Sequence, residues 1–75
     1  MTSGEYAVIL VYSTSHAIRA ERILQGAGVP VKMIPVPRHL SSDCGVCIRV
    51  ERVVRESARQ MLESAGMEIS AVHDI

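Results

Sequence analysis

Apolar positions along the chain fall into short unbroken runs and helix-spaced stripes, separated by turn residues. "YAVILVY", Tyr6 to Tyr12, is continuous and rich in β-branched residues, as a central strand covered on at least one face requires. Ser13, Thr14 and Ser15 follow with hydroxyls suited to capping a helix. "HAIRAERILQGAG" then sets Ala17, Ala20, Ile23, Leu24 and Ala27 on one helical face, until Gly26 and Gly28 stop it. "VPVKMIPVP" predicts a second strand from about Val31 to Ile34, and Pro35 and Pro37 end it and confine it to a sheet edge, because each removes a ladder donor. After a polar loop, "VCIRVE" predicts a third strand. From about Arg52 onward, Val54, Ala58, Met61, Leu62 and Ala65 form one helical stripe with Gly66 beyond its end, and "MEISAV" predicts a fourth strand.

The order β, α, β, β, α, β predicts an α+β fold of the ferredoxin-like, split βαβ type: a four-stranded antiparallel sheet with both helices on one face. Strand two then runs parallel to strand one, so the loop after strand two lies at the sheet end from which helix one starts. This topology sets "SSDCGVC", Ser41 to Cys47, near "STSH", Ser13 to His16. The two halves share a strand, helix and strand rhythm that the symmetry of such a fold explains, and no linker or low-complexity tract interrupts them. Residues 1–75 are therefore expected to form one domain.

Composition narrows the function. At 75 residues the chain is near the lower size limit for a domain, leaving no room for a deep substrate cavity. Nearly half of it is apolar, at 48%, so a core is available although Phe and Trp are absent. Eight Lys and Arg balance eight Asp and Glu, and Tyr6 and Tyr12 are the only aromatics. That denies it the positive field and stacking platforms of a single-stranded nucleic-acid binder, so nucleic acid is not an expected partner. The apolar run at Tyr6 lacks a basic leader and is far shorter than the roughly 18 residues of a membrane span, so a cytoplasmic protein without a membrane partner is expected.

Both cysteines, Cys44 and Cys47, sit in "SSDCGVC", and in a chain of this kind they argue for a redox, metal or carrier role rather than a disulfide framework. A helix N-terminus offers unpaired N–H groups and partial positive charge that stabilise an anion such as a thiolate, and Ser13, Thr14, Ser15 and His16 stand there. Arg38 and His39 in the cysteine loop would lower the Cys44 pKa, while Asp43 opposes that shift. The plainer alternative is that the serines only cap a helix and Arg38 and His39 are solvated. For Cys44 it is an inert loop thiol, and for Cys47 a small hydrophobe packed in strand three. A fully extended 44–47 segment would hold its ends roughly 10 Å apart on opposite faces, too far for a disulfide, unless Gly45 permits a turn. A zinc site would have to complete Cys44 and Cys47 from His16, His39 and His73, which is half of a zinc signature. No resident metal or cofactor is expected. Arg52, Arg55 and Arg59 form a basic strip on helix two, partly neutralised by Glu51, Glu56 and Glu63, and a solvated face accounts for it.

"YSTSHAIRAERIL", "GVPVKMIPVPRHLSSDCG" and "VCIRV" together resemble a family of small bacterial domains described as selenium/sulfur carrier proteins, and the resemblance covers most of the chain. It implies one reactive cysteine, at Cys44, that holds sulfur or selenium as a persulfide or selenosulfide and passes it between proteins. A carrier rather than a turnover enzyme is expected, with a cysteine desulfurase-type donor and an acceptor that the sequence does not specify. Gly45 would give the donor close access, and Cys47 would resolve the adduct as a second thiol. The opposing class is a non-catalytic ferredoxin-like module for protein interaction or ligand sensing, with dithiol redox chemistry and zinc binding as weaker readings. The exposed edge strands leave pairing into a homodimer open.

Overall fold

The run from Tyr6 to Leu10 folds as β1, and every residue after Tyr6 in it is buried, since both faces of this strand are covered. A computed structural model of the chain describes residues 5–40 and 45–75. It places α1 at Thr14–Gly26, β2 at Val31–Pro35, β3 at Val46–Glu51, a 3-10 turn at Arg52–Val54, α2 at Arg55–Ser64 and β4 at Ala71–Asp74. The strands form one sheet in the order β2-β3-β1-β4, and every neighbouring pair is antiparallel. The protein is thus α+β, with a four-stranded antiparallel sheet and two helices.

Alternation along the strands divides the sheet into two faces. On one, Ala7, Ile9 and Val11 of β1 and its extension join Ile48 and Val50 of β3 against Ala17, Ala20 and Leu24 of α1 and Ala58 and Leu62 of α2. Both helices therefore pack on this face. Ile9, Ile48, Leu24 and Leu62 are fully buried there, each worth about 1.5–3 kcal/mol of transfer free energy. On the opposite face Val8, Leu10 and Cys47 form a second cluster, roofed by Ile34, Val36, Leu40 and Ala71. The segment after β2 folds back over the sheet and provides that cover.

The two helices end alike. Gly28 and Gly66 adopt φ of +82° and +83°, the left-handed conformation a glycine enters without penalty. After α1, Gly28 N–H donates to Gln25 O and Val29 N–H to Leu24 O; after α2, Gly66 N–H donates to Glu63 O and Met67 N–H to Leu62 O. In each case the residue after the glycine turns its side chain back into the core, and Met67 is almost wholly buried. This places the fourth strand later than the run "MEISAV" suggested. Met67 serves as the hydrophobic partner of the helix end, Ser70 N–H makes the first link to β1 at Leu10 O, and the strand itself is Ala71–Asp74.

The second helix also begins differently from its apolar stripe. Neither Glu51 nor Val54 caps it with a side-chain bond, and the chain enters through the 3-10 turn, where Val53 is 86% exposed. Arg52 instead ties the C-terminal strand down: its Nη2 donates to Ile75 O at 2.8 Å, its Nε lies 3.7 Å from an Asp74 oxygen, and its Nη1 reaches Glu5 at 4.0 Å. Arg55 Nε adds a contact to Asp74 at 3.3 Å. Arg59 bonds Glu56 and, at 2.8 Å, Glu63. The basic strip on this helix is thus occupied by partners within the chain.

Candidate functional site

β3 fixes what lies next to what at one end of the sheet. Its first residues pair with the last residues of both flanking strands, Cys47 with Leu10 of β1 and with Ile34 of β2, and Val46 with Pro35. β1 and β2, both antiparallel to β3, are parallel to each other, and their C-terminal ends meet here. Gly45 stands at this end, its carbonyl accepting from Val36 N–H at 3.1 Å, and α1 starts from the same end. The loop after β2 and the start of helix one thus share one end of the sheet, while the described residues Val36 and Leu40 of that loop pack on the face opposite the helices. Ser41, Ser42, Asp43 and Cys44 lie outside the described residues.

At the start of α1, Ser13 has the extended backbone of an N-cap, φ −157° and ψ 163°, and its Oγ accepts from His16 N–H at 3.2 Å. The same Oγ lies 3.0 Å from His16 Nδ1. The serine therefore engages the histidine twice, through backbone and ring, and holds the imidazole against the first turn. Thr14 and Ser15 are exposed, and their N–H groups belong to the first turn, which helical geometry leaves without intrahelical acceptors. No acidic residue stands in that turn to compete for an anion. Tyr12, 44% exposed, and Ile18, also 44% exposed, flank it with apolar surface.

Arg38 and His39 occupy the turn closed by Leu40 N–H donating to Pro37 O at 3.0 Å, and both are exposed. Leu40 anchors this turn on the sheet face opposite the helices. Among the described residues no hydrogen bond or ion pair links Arg38 or His39 to Ser13 or His16, so they are neighbours in topology without direct contact. Gly45 is exposed, and a Cβ built on it meets no described atom within 4 Å. Its lack of a side chain leaves open space among the described residues.

Cys47 is in a different setting. Its residue is fully buried between Leu10 and Ile34 on the face opposite the helices, under Val36 and Leu40, with Sγ 4.0 Å from Pro35 O, the reach of a weak S–H donor. Among the described residues no group of three or more His, Cys, Asp or Glu side chains is arranged to hold a metal ion. No helix among them is long and apolar enough to cross a membrane.

Sequence patterning missed one arrangement. Arg49 of β3 lies over the Tyr6 ring of β1, 4.1 Å from its centroid, and Lys32 of β2 pairs with Arg49 in register. His73, named above as a candidate zinc ligand, is exposed and lies on β4, opposite Val8. The signal was present in the period-2 spacing of Tyr6 and Val8 and of Cys47 and Arg49, but it becomes readable only once the strands are paired.

No curated protein and no solved structure gives a significant match to the chain. A family model does, over residues 5–74, which take in both helices, all four strands and the "SSDCG" loop. The chain belongs to the putative Se/S carrier protein-like family.

Proposed function

We propose that this protein carries sulfur or selenium on Cys44, as a persulfide or its selenium analogue, and delivers it from one protein to another. The family match over nearly the whole chain is the observation that carries this reading. The strand order β2-β3-β1-β4 with the element order β1, α1, β2, β3, α2, β4 supports a ferredoxin-like scaffold for it, in residues 1–75 as one carrier domain.

The transfer conserves electrons without any external oxidant. The Cys44 thiolate attacks the outer sulfur of a donor persulfide, R–S–SH; the donor S–S bond breaks, its thiolate leaves, and Cys44–S–SH forms. An acceptor thiolate then attacks the same outer sulfur and returns Cys44 to its thiolate. A selenium atom in the outer position follows the same steps. The donor fitting this scheme is a cysteine desulfurase-type protein, which forms such a persulfide on its own cysteine. The anion at each stage is stabilised by donors of the kind gathered at the start of α1, with Ser13 holding His16 in place and the Thr14 and Ser15 N–H groups directed out of the helix end. Gly45 adds open space on the C-terminal side of Cys44 for the approach of a second protein.

We assign carriage to Cys44 and not to Cys47. A thiol without exposed surface does not meet a donor, and its burial between Leu10 and Ile34 suits a packing role. Incubating the reduced protein with a cysteine desulfurase and cysteine, and reading intact mass before and after reductant, tests the proposal. It predicts a reductant-labile gain of one sulfur on the parent and none on Cys44→Ser; equal loading of the variant would refute it.

A further inference from the structure

The charges of this chain balance in number but not in place. Arg52, Arg55 and Arg59 are paired with Glu5, Asp74, Glu56 and Glu63 at the C-terminal edge and along α2. Among the described residues Arg19 and Arg22 on α1 and Lys32, Arg38 and Arg49 have no ion-pair partner; the first two stand beside Glu21 on the helix, whereas the other three stand on the side of the sheet away from the helices. Register sets Lys32, Arg49, Val8 and His73 in one row across four strands on that face. Leu40, packed on Val8, Leu10 and Cys47, brings the Pro37–Leu40 turn with Arg38 and His39 over the same face. Glu51, opposite Tyr6, is the acidic residue of this face among those described, and it forms no ion pair with Arg49. Asp74 pairs with Ala7 and so faces the other way.

Arg49 is prepared for recognition. Its guanidinium lies on the Tyr6 ring at 4.1 Å, which fixes its plane while leaving its N–H edge for an oxyanion. Tyr6, Lys32, Arg49 and Glu51 line a shallow depression of about 260 Å³. That is below the roughly 300–1,000 Å³ of small-molecule sites, and suits the side chain of a protein partner better than a free ligand. A second copy of this chain is a poor occupant, because Glu56 and Glu63 are held by Arg59 and the acids without an ion-pair partner among the described residues, Glu21, Glu51 and Glu68, stand singly in the sequence and form no acidic segment. The depression lies at the end of the sheet opposite Gly45, and along β3 Arg49 is four residues from Gly45, about 13 Å of strand, a span that a partner protein seated on the row bridges.

We propose that this basic sheet face is the docking surface for an acidic segment of the protein that exchanges cargo with Cys44, an inference that rests on the carrier reading. Attraction between the exposed basic row and partner carboxylates sets encounter and orientation, and weakens as salt screens it.

The experiment uses the full chain and a fluorescent Glu-rich peptide as probe, with a single-stranded oligonucleotide as the competing anion. The peptide is expected to bind at low salt, to weaken as salt rises, and to lose roughly tenfold or more in affinity in Lys32→Glu/Arg49→Glu. Arg19→Glu/Arg22→Glu, which changes net charge equally on α1, is expected to keep binding. Lys32→Gln/Arg49→Gln, checked for an unchanged melting temperature, guards against misfolding and is expected to weaken binding in the same direction. Absence of peptide binding, equal loss in both charge-reversed variants, or tighter binding of the oligonucleotide overturns the proposal. Loading of Cys44 by a small-molecule persulfide is expected to survive Lys32→Gln/Arg49→Gln. Failure of the docking proposal leaves that loading intact, whereas failure of the carrier reading removes it from the parent as well.

Discussion

Strand β3 decides how one of the two thiols is used. Cys47 points into a packed row with Leu10 and Ile34, where its side chain acts as a small hydrophobe. Cys47→Ala is expected to leave sulfane loading unchanged while costing about 1–2 kcal/mol of stability, from lost contacts and a small cavity; denaturant melts paired with intact mass check both halves of that statement. Ser13 is the other residue with a separable role. Removing its hydroxyl leaves His16 N–H and the ring nitrogen without their shared partner, so Ser13→Ala should destabilise the fold by about 1 kcal/mol. It should also slow loading by a desulfurase, measured as the rate of mass gain. Slower loading with unchanged stability, or the reverse, would separate the capping role from the anion-stabilising one.

At the scale of elements, the glycines that end the helices carry more of the fold than their size suggests. Gly66→Ala forces a side chain into the left-handed region at φ +83° and should cost about 1 kcal/mol or more, seen as a lower melting temperature, although the space around it is open. The Arg59–Glu56 pair contributes in a pH-dependent way. The Arg59 hydrogen bond holds the Glu56 carboxyl below its ordinary pKa, so its contribution is present above the usual glutamate range and lost as pH falls through the lowered value. Helical content of the parent should accordingly drop on acidification below the ordinary glutamate range more than that of Glu56→Gln, by circular dichroism. Periodicity found all four strands and both α-helices but not the 3-10 turn at Arg52–Val54, and the limits of β3 came out of "VCIRVE" directly. It misjudged Met67, because a run of apolar residues does not reveal that its first member is spent on closing a helix. It likewise took Arg52 as helical from the stripe alone, when its side chain is committed to Asp74 and the C-terminal carbonyl.

For the whole molecule, topology converts a modest sequence into a polarised object. Helices cover one face of the sheet, and the loop after β2 covers part of the other, leaving a basic row beside Tyr6. The placement of "STSH" beside the end that carries Gly45 was readable in advance, because parallel strands one and two leave no other choice. The Arg49–Tyr6 stack was not, since it depends on which residues of β1 and β3 oppose each other. The central claim is that one cysteine of the two carries the cargo, and the sequence provides a convenient handle. Trypsin cleavage after Arg38 and Arg49 yields one peptide, residues 39–49, containing both Cys44 and Cys47. The decisive measurement is to load the protein from a desulfurase, trap the persulfide by alkylation under native conditions, and locate the extra sulfur in that peptide by fragmentation. The account predicts the sulfur on Cys44 alone; finding it on Cys47, or finding none on either residue, would contradict it.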